Sequence, residues 1–288
     1  MTYSTLISPN QLKALSNATP TVIIDTRSPE SYAAGHIPGA VNIHDIFTFL
    51  ATSSKEGMEE LRGKFAEVFG AAGLSGEEVA VIYEDSMNTG FGQSCRGYFL
   101  LQFLGYPKAA ILHGGYQAWL AEEMPVSTDI PTPEAKTFPV DEAAASIMLT
   151  ADDMLAALDD PNIVKLDVRD VDEWVGTSSS PYGIDFCPRK GRIPGAVWLE
   201  WYRMMKPGEE VPVFKSKEEL QAECATVGID SNSTVYLYCF KGARASNTLV
   251  ALKEAGVKDV RMYFGSWNEW SRNPELPIES GHVMWQAS

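Results

Sequence analysis

Short, continuously apolar runs alternate along the chain with longer segments of mixed polarity. In the second half, 163–168, 234–238 and 259–263 read as strands. Their hydrophobicity is continuous rather than alternating, as in parallel strands covered on both faces. Between the last two, the segment 243–255 sets Ala245, Leu249 and Leu252 at helical spacing, and Gly256 follows as a C-terminal cap. Strands alternating with helices predict an α/β architecture, in which ligands sit at the carboxyl ends of the strands.

The same pattern occurs twice. "LISPNQLKAL" at 6–15 is echoed by "LTADDMLAAL" at 149–158, each with a Ser or Thr suited to cap the helix that follows. "VIIDTR" at 22–27 returns as "VKLDVR" at 164–169, and "GHIPGAVNI" at 35–43 as "GRIPGAVWL" at 191–199. "VAVIYE" at 79–84 returns as "TVYLYC" at 234–239, and "HGGYQAW" at 113–119 as "FGSWNEW" at 264–270. The second copy carries an extra segment, "GTSSSPYGIDFCPRK" at 176–190, between its Asp-x-Arg and I-P-G-A motifs. Residues 125–146 hold four prolines and no regular period, which predicts a linker between domains at 1–124 and 147–288.

Composition narrows the function. The 288-residue chain is 45% apolar and 21% charged, long enough for two domains that need no disulfide staples. Its net charge of −15 argues against nucleic-acid or anionic-membrane partners, and it requires that any anionic substrate be captured by a local basic patch. No apolar stretch is long enough to span a membrane and no signal-peptide pattern opens the chain, so a cytoplasmic location is expected. Cys95, Cys187, Cys224 and Cys239 form no C-x-x-C pair, and His36, His44, His113 and His282 show no metal-ligand spacing.

The chemistry concentrates in "YLYCFKGARASNT" at 236–248. Cys239 ends a strand and a helix begins near Ala243, so the chain must turn sharply between them, which Gly242 permits. Backbone N–H groups at such a turn, with the helix dipole, stabilise an anion. Lys241 and Arg244 add full charges. Surroundings of this kind lower a thiol pKa from about 8.5 toward roughly 3.5–7.5. The alternative is a buried, inert thiol. Cysteine phosphatases use C-x5-R, whereas Cys239 and Arg244 have four residues between them, a ring better suited to sulfur than to a phosphate monoester.

These motifs together resemble the rhodanese family, specifically its tandem-domain thiosulfate and 3-mercaptopyruvate sulfurtransferases. "YAAGHIPGAVNI" at 32–43 is similar to one family signature and "VRMYFGSWNEW" at 260–270 to another, apart from Phe264. The resemblance implies an α/β fold of two rhodanese-like domains, each a parallel β-sheet flanked by helices. It implies Cys239 as the catalytic residue, forming a persulfide, and Phe240, Lys241, Gly242, Ala243, Arg244 and Arg169 as substrate-binding residues. Glu84 aligns with Cys239 in the first copy, so that domain is expected to be catalytically silent.

The expected partners are a small-molecule sulfur donor and a cyanide, thiol or protein acceptor, with no metal or organic cofactor. Lys241 and Gly242 match the thiosulfate-type loop C-R-K-G-V-T, while Phe240 and Arg244 match neither that loop nor the mercaptopyruvate-type C-G-S-G-V-T. The family often has a substrate-contacting arginine where this chain has Glu173, and Arg189, Lys190 and Arg192 are candidates to supply its charge. A sulfur-carrier module fed by a partner is the non-enzymatic alternative. Cys95, Cys187 and Cys224 are expected to be structural, His36 to support its turn, and Asp25 and Asp167 to hold arginine or backbone partners.

Overall fold

In the computed structural model, which describes residues 4–280, each copy builds the same five-stranded sheet. The first contains β1 (Leu6–Ile7), β2 (Thr21–Asp25), β3 (Val41–Asn42), β4 (Val79–Tyr83) and β5 (Ala109–Leu112). All pair in parallel, in the order β1-β5-β4-β2-β3. Central β4 is buried along its whole length, which its uniformly apolar sequence allows. Helices α1 (Pro9–Ala18), α2 (Pro29–Ala34), α3 (Asp45–Thr48), α4 (Lys55–Ala71), α5 (Gln93–Phe103) and α6 (Gly115–Ala121) complete this copy.

The second copy repeats the plan with β6 (Met148–Leu149), β7 (Ile163–Asp167), β8 (Val197–Trp198), a hairpin of β9 (Met205–Pro207) and β10 (Pro212–Phe214), then β11 (Thr234–Tyr238) and β12 (Asp259–Tyr263). Its sheet order, β6-β12-β11-β7-β8, is that of the first with each strand replaced by its repeat counterpart. The helices are α7 (Ala151–Ala156), α8 (Val171–Trp174), α9 (Lys217–Ala225), α10 (Ala243–Ala255) and α11 (Ser266–Trp270). Ser8 and Thr150 cap α1 and α7 through reciprocal side-chain bonds with Gln11 and Asp153, and Gly256 closes α10 at φ 96°. No helix among the described residues is long and apolar enough to cross a membrane. His282 and the end of the second copy lie outside the described residues.

The division into compact units departs from the linear one. The first unit takes residues up to 49, 56–147 and 205–215, and the second takes 50–55, 148–204 and those from 216 onward. Residues 125–146 therefore belong to the first unit rather than forming a free linker. Pro125, Pro131, Pro133 and Pro139 keep the segment irregular up to a short 3-10 turn at Glu142–Ile147, and its backbone bonds to the first copy. Ser127 and His36 exchange both backbone hydrogen bonds, Lys136 N–H donates to the Gly70 carbonyl, and Asp141 N–H to that of Leu104. Phe138 packs its ring 5.2 Å from Tyr106 and 5.7 Å from Phe69. The β9–β10 hairpin also joins the first unit, where Phe214 N–H donates to His113 Nε2.

Candidate active site

The site begins with a strand end. Asp167 closes β7 beside Tyr238, the last residue of β11, and the Tyr238 hydroxyl donates to Asp167 Oδ2 at 2.7 Å. The Tyr238 oxygen in turn accepts from Ile193 N–H in the I-P-G-A turn. Arg169 folds back on Asp167 through its own N–H, Nε and Nη2, and Nη2 also donates to the Gly191 carbonyl. Asp25, Arg27, Gly35 and Tyr83 repeat this arrangement in the first copy. A device present in both copies, one of which lacks the cysteine, serves to tie the strand ends to the following turn. Arg169 was expected to contact substrate. It is fully buried, and Asp167 and Gly191 engage its Nε and Nη2, while Nη1 has no hydrogen-bond partner among the described residues.

From this platform the chain enters the loop. Cys239 is 1% exposed, and its Sγ accepts the Gly242 N–H at 3.1 Å. Gly242 adopts φ 92° as the N-cap of α10, and a Cβ there would lie 2.9 Å from the Phe264 ring. The loop is clasped from the other side by the start of α11. Trp267 and Asn268 N–H donate to the carbonyls of Cys239 and Phe240. Ser266 Oγ accepts from Cys239 N–H at 3.2 Å and donates to the Tyr263 carbonyl at 2.8 Å.

Ser266 is a site residue that the sequence reading missed. It sits at φ 55°, a left-handed conformation unfavourable for a residue with a Cβ. Its counterpart in the repeat is Gly115, at φ 66°. Glycine facing serine in "HGGYQAW" and "FGSWNEW" was the available signal: the copy that carries Cys239 keeps the turn but puts a hydroxyl on it.

The side chains of the loop go to unequal places. Phe240 was expected at the substrate, but its ring is 3% exposed and belongs to the core cluster with Tyr238, Trp267 and Trp270. Tyr182 and Phe186, from the extra segment of the second copy, pack over it with ring centroids at 5.1 and 6.3 Å. What Phe240 offers the site is backbone. Ala243 is buried at the first position of α10. Lys241 is half-buried, with Nζ 5.6 Å from the centre of the Tyr182 ring.

Arg244 turns away from solvent into carboxylates. Its Nη1 and Nη2 donate to Glu173 Oε2 and Oε1 at 2.6 and 3.1 Å, and Asp170 Oδ1 lies 3.0 Å from Nη1. Glu173 is held for this role, because its carboxylate also accepts the Asp170 N–H as part of the α8 cap. Burial works against the Arg244 charge, but Glu173, the Cys239 sulfur and Asp170 outweigh it and raise the guanidinium pKa above its usual value. Burial likewise pushes the Glu173 carboxyl upward, while Arg244 and Arg169 pull it down. Asp170, Asp172 and Glu173 each bring a carboxylate oxygen within 4.8 Å of the others, and Arg244 already forms ion pairs with Asp170 and Glu173.

The cluster Arg189, Lys190 and Arg192 does not supply the charge expected of it. Arg189 donates to the carbonyls of Ser271, Leu276, Trp270 and Asn273. Lys190 donates to the Thr177 carbonyl, and Arg192 pairs with Glu279 and lies over the Trp174 ring. A loop rich in prolines and glycines leaves carbonyls without ladder partners, and these cations satisfy them.

The first copy fills the same space differently. Glu84 stands at the end of β4 where Cys239 follows β11, and Gly92 caps α5 at φ 78° as Gly242 caps α10. The fully buried Glu84 carboxylate accepts Gln93 N–H at 2.8 Å and the Ser94 hydroxyl at 2.9 Å. The helix N-terminus thus holds the protein's own carboxyl group. Burial drives its pKa up to about 8 against the Ser94, Gln93 and Gly92 donors. His36 has its ring nitrogens 2.9 and 3.0 Å from the Tyr32 and Asp129 carbonyls, as a turn support should. Burial raises the Cys95 thiol well above its ordinary pKa and takes Cys187 and Cys224 up to about 11, which makes them poor nucleophiles.

The sequence matches a family model described as a rhodanese-like domain twice, over residues 8–122 and 150–273. It is 30% identical to a thiosulfate sulfurtransferase of Azotobacter vinelandii over 276 residues, covering 95% of this chain and 96% of that one. A thiosulfate sulfurtransferase of Pseudomonas aeruginosa is 27% identical over 277 residues, again covering 95% and 96%. Among solved structures, wild-type EanB superposes with a TM-score of 0.82 at 23% identity, covering 98% of this chain and 70% of that one. An anaerobic ergothioneine biosynthesis enzyme from Chlorobium limicola, bound to trimethyl histidine, gives a TM-score of 0.82 at 22% identity and covers 98% and 71%. At these identities the structural likeness concerns the fold.

Proposed function

The chain belongs to the rhodanese family, and from that premise we propose that it is a sulfurtransferase whose Cys239 accepts sulfane sulfur as a persulfide, with thiosulfate as donor. The observation that carries this reading is the Gly242 N–H aimed at the Cys239 sulfur from the first turn of α10. A donor in that position stabilises negative charge on sulfur, whether thiolate or persulfide. The Cys239 thiolate attacks the outer sulfur of thiosulfate, a new S–S bond forms, and the bond to the sulfonate sulfur breaks, its electron pair leaving with sulfite. An acceptor, cyanide or a thiolate, then attacks the terminal sulfur and returns Cys239 as thiolate. Electrons and atoms balance without a metal or organic cofactor. Lys241 supports thiosulfate as donor, and so do the names of the two curated relatives.

One observation favours a second donor, 3-mercaptopyruvate, with pyruvate leaving. Arg169 and Arg244 are both paired with carboxylates, so the positive charge available to a dianion is smaller than the loop sequence suggests. Intact mass after incubation with each donor in turn tests both readings. A gain of about 32 Da that is absent from Cys239→Ser is expected. Turnover retained by that variant would overturn the assignment to Cys239, and no adduct with either donor would favour a carrier loaded by a partner protein.

A further inference from the structure

We propose that Glu173 sets donor choice, by holding Arg244 in a two-point ion pair and so withholding from dianionic donors the guanidinium of the Cys239 loop. The proposal rests on Cys239 being the sulfur acceptor. Within the second unit, Lys241 stands in the loop itself, Arg169 pairs with Asp167, and Arg244 pairs with Glu173 and Asp170. Two guanidiniums are thus met by three carboxylates, and Glu173 itself is 1% exposed. Arg244 lies in the first turn of α10, whose N-cap Gly242 donates its N–H to the Cys239 sulfur.

For Arg244 to turn toward a bound sulfonate it would have to leave Glu173, and a buried carboxylate would lose its partner. That cost falls on donors in proportion to the charge they carry beside the sulfur. Thiosulfate carries two negative charges and 3-mercaptopyruvate one. Glu173 therefore weakens thiosulfate binding more than it weakens binding of the monoanion. Asp170 acts in the same sense but more weakly, since its side chain is 35% exposed and its charge is screened.

The test compares both donors in steady-state kinetics on the whole chain, with Glu173→Gln, Asp170→Asn, Arg244→Thr and Glu173→Gln/Arg244→Thr. In Glu173→Gln the ratio of kcat/KM for thiosulfate to that for 3-mercaptopyruvate should rise about tenfold or more, through a lower KM for thiosulfate. The rise should vanish when Arg244→Thr is the background, which identifies Arg244 as the group released. Asp170→Asn should move the ratio the same way by a smaller factor, and it decides the matter if Glu173→Gln does not fold. An unchanged or reduced ratio in the folded variants, or equal losses on both donors, would overturn the proposal and leave Glu173 a purely structural partner of Arg244. If wild-type protein gains no mass from either donor, the persulfide reading itself fails, a result distinct from an unchanged ratio in a protein that does form the adduct.

Discussion

The Gly242 amide points at the Cys239 sulfur from 3.1 Å because Gly242 sits at φ 92°, and both residues depend on that one dihedral. Gly242→Ala would place a Cβ in the left-handed region and 2.9 Å from the Phe264 ring. The expected cost is about 2 kcal/mol of stability, read by urea denaturation. Turnover should fall about tenfold or more, because the N–H leaves its line to the sulfur. Unaltered turnover would mean that the ring does not act through this donor.

Ser266 gives a contrast between strain and chemistry. Ser266→Ala keeps the unfavourable φ of 55° and loses the acceptor for Cys239 N–H, so it should cost about 1–3 kcal/mol. Ser266→Gly loses the same acceptor but relieves the strain, so its stability should lie closer to wild type. Both should lose activity to a similar extent if the hydroxyl is what holds the cysteine in place. Thermal melts paired with turnover separate the two effects.

Glu84 makes stability depend on pH through the first copy. Its folded pKa of about 8 lies above the ordinary carboxylate value of 4.5, so the unfolded chain releases this proton first. Its contribution is therefore full below pH 4.5 and is lost as pH rises through 8. Integrated over that window the loss is on the order of 5 kcal/mol. Glu84→Gln should raise Tm at pH 8, with the gain shrinking toward nothing at pH 4. A gain independent of pH would assign it to packing rather than to ionisation.

Arg189 separates fold from substrate binding. Arg189→Met orphans four carbonyls, those of Ser271, Leu276, Trp270 and Asn273, and should destabilise the protein by about 3 kcal/mol or more. Below the melting range, the KM for thiosulfate should stay close to wild type. A KM raised tenfold in the folded variant would return Arg189 to the role its sequence suggested.

Much of the site could be read before the fold was seen, because the repeat aligns its parts. Tyr83 with Tyr238 and Asp25 with Asp167 hold matching positions in each copy, whereas the equivalence of Gly92 and Gly242 as helix caps shows only in the fold. What the alignment did not carry was the direction of individual side chains. Phe240 and Arg244 are neighbours in a six-residue loop, yet one enters the aromatic core and the other meets a carboxylate on α8. Arg189 looked like a free cation because the carbonyls it satisfies come from a segment about eighty residues further along the chain. The linker was legible as irregular, but not as packed, since its partners Gly70, Leu104 and His36 lie in other elements.

The sequence by itself determined the two-copy architecture and which copy carries a cysteine at the strand end. Hydrophobic period, capping residues and turn glycines are local, so they specify strands, helices and the loop around Cys239 wherever the rest of the chain goes. Tertiary structure alone decided which charges remain available to a substrate. A guanidinium acts according to what lies within a few ångströms of it, and Glu173, which pairs with Arg244, is distant in the chain and near only in the fold.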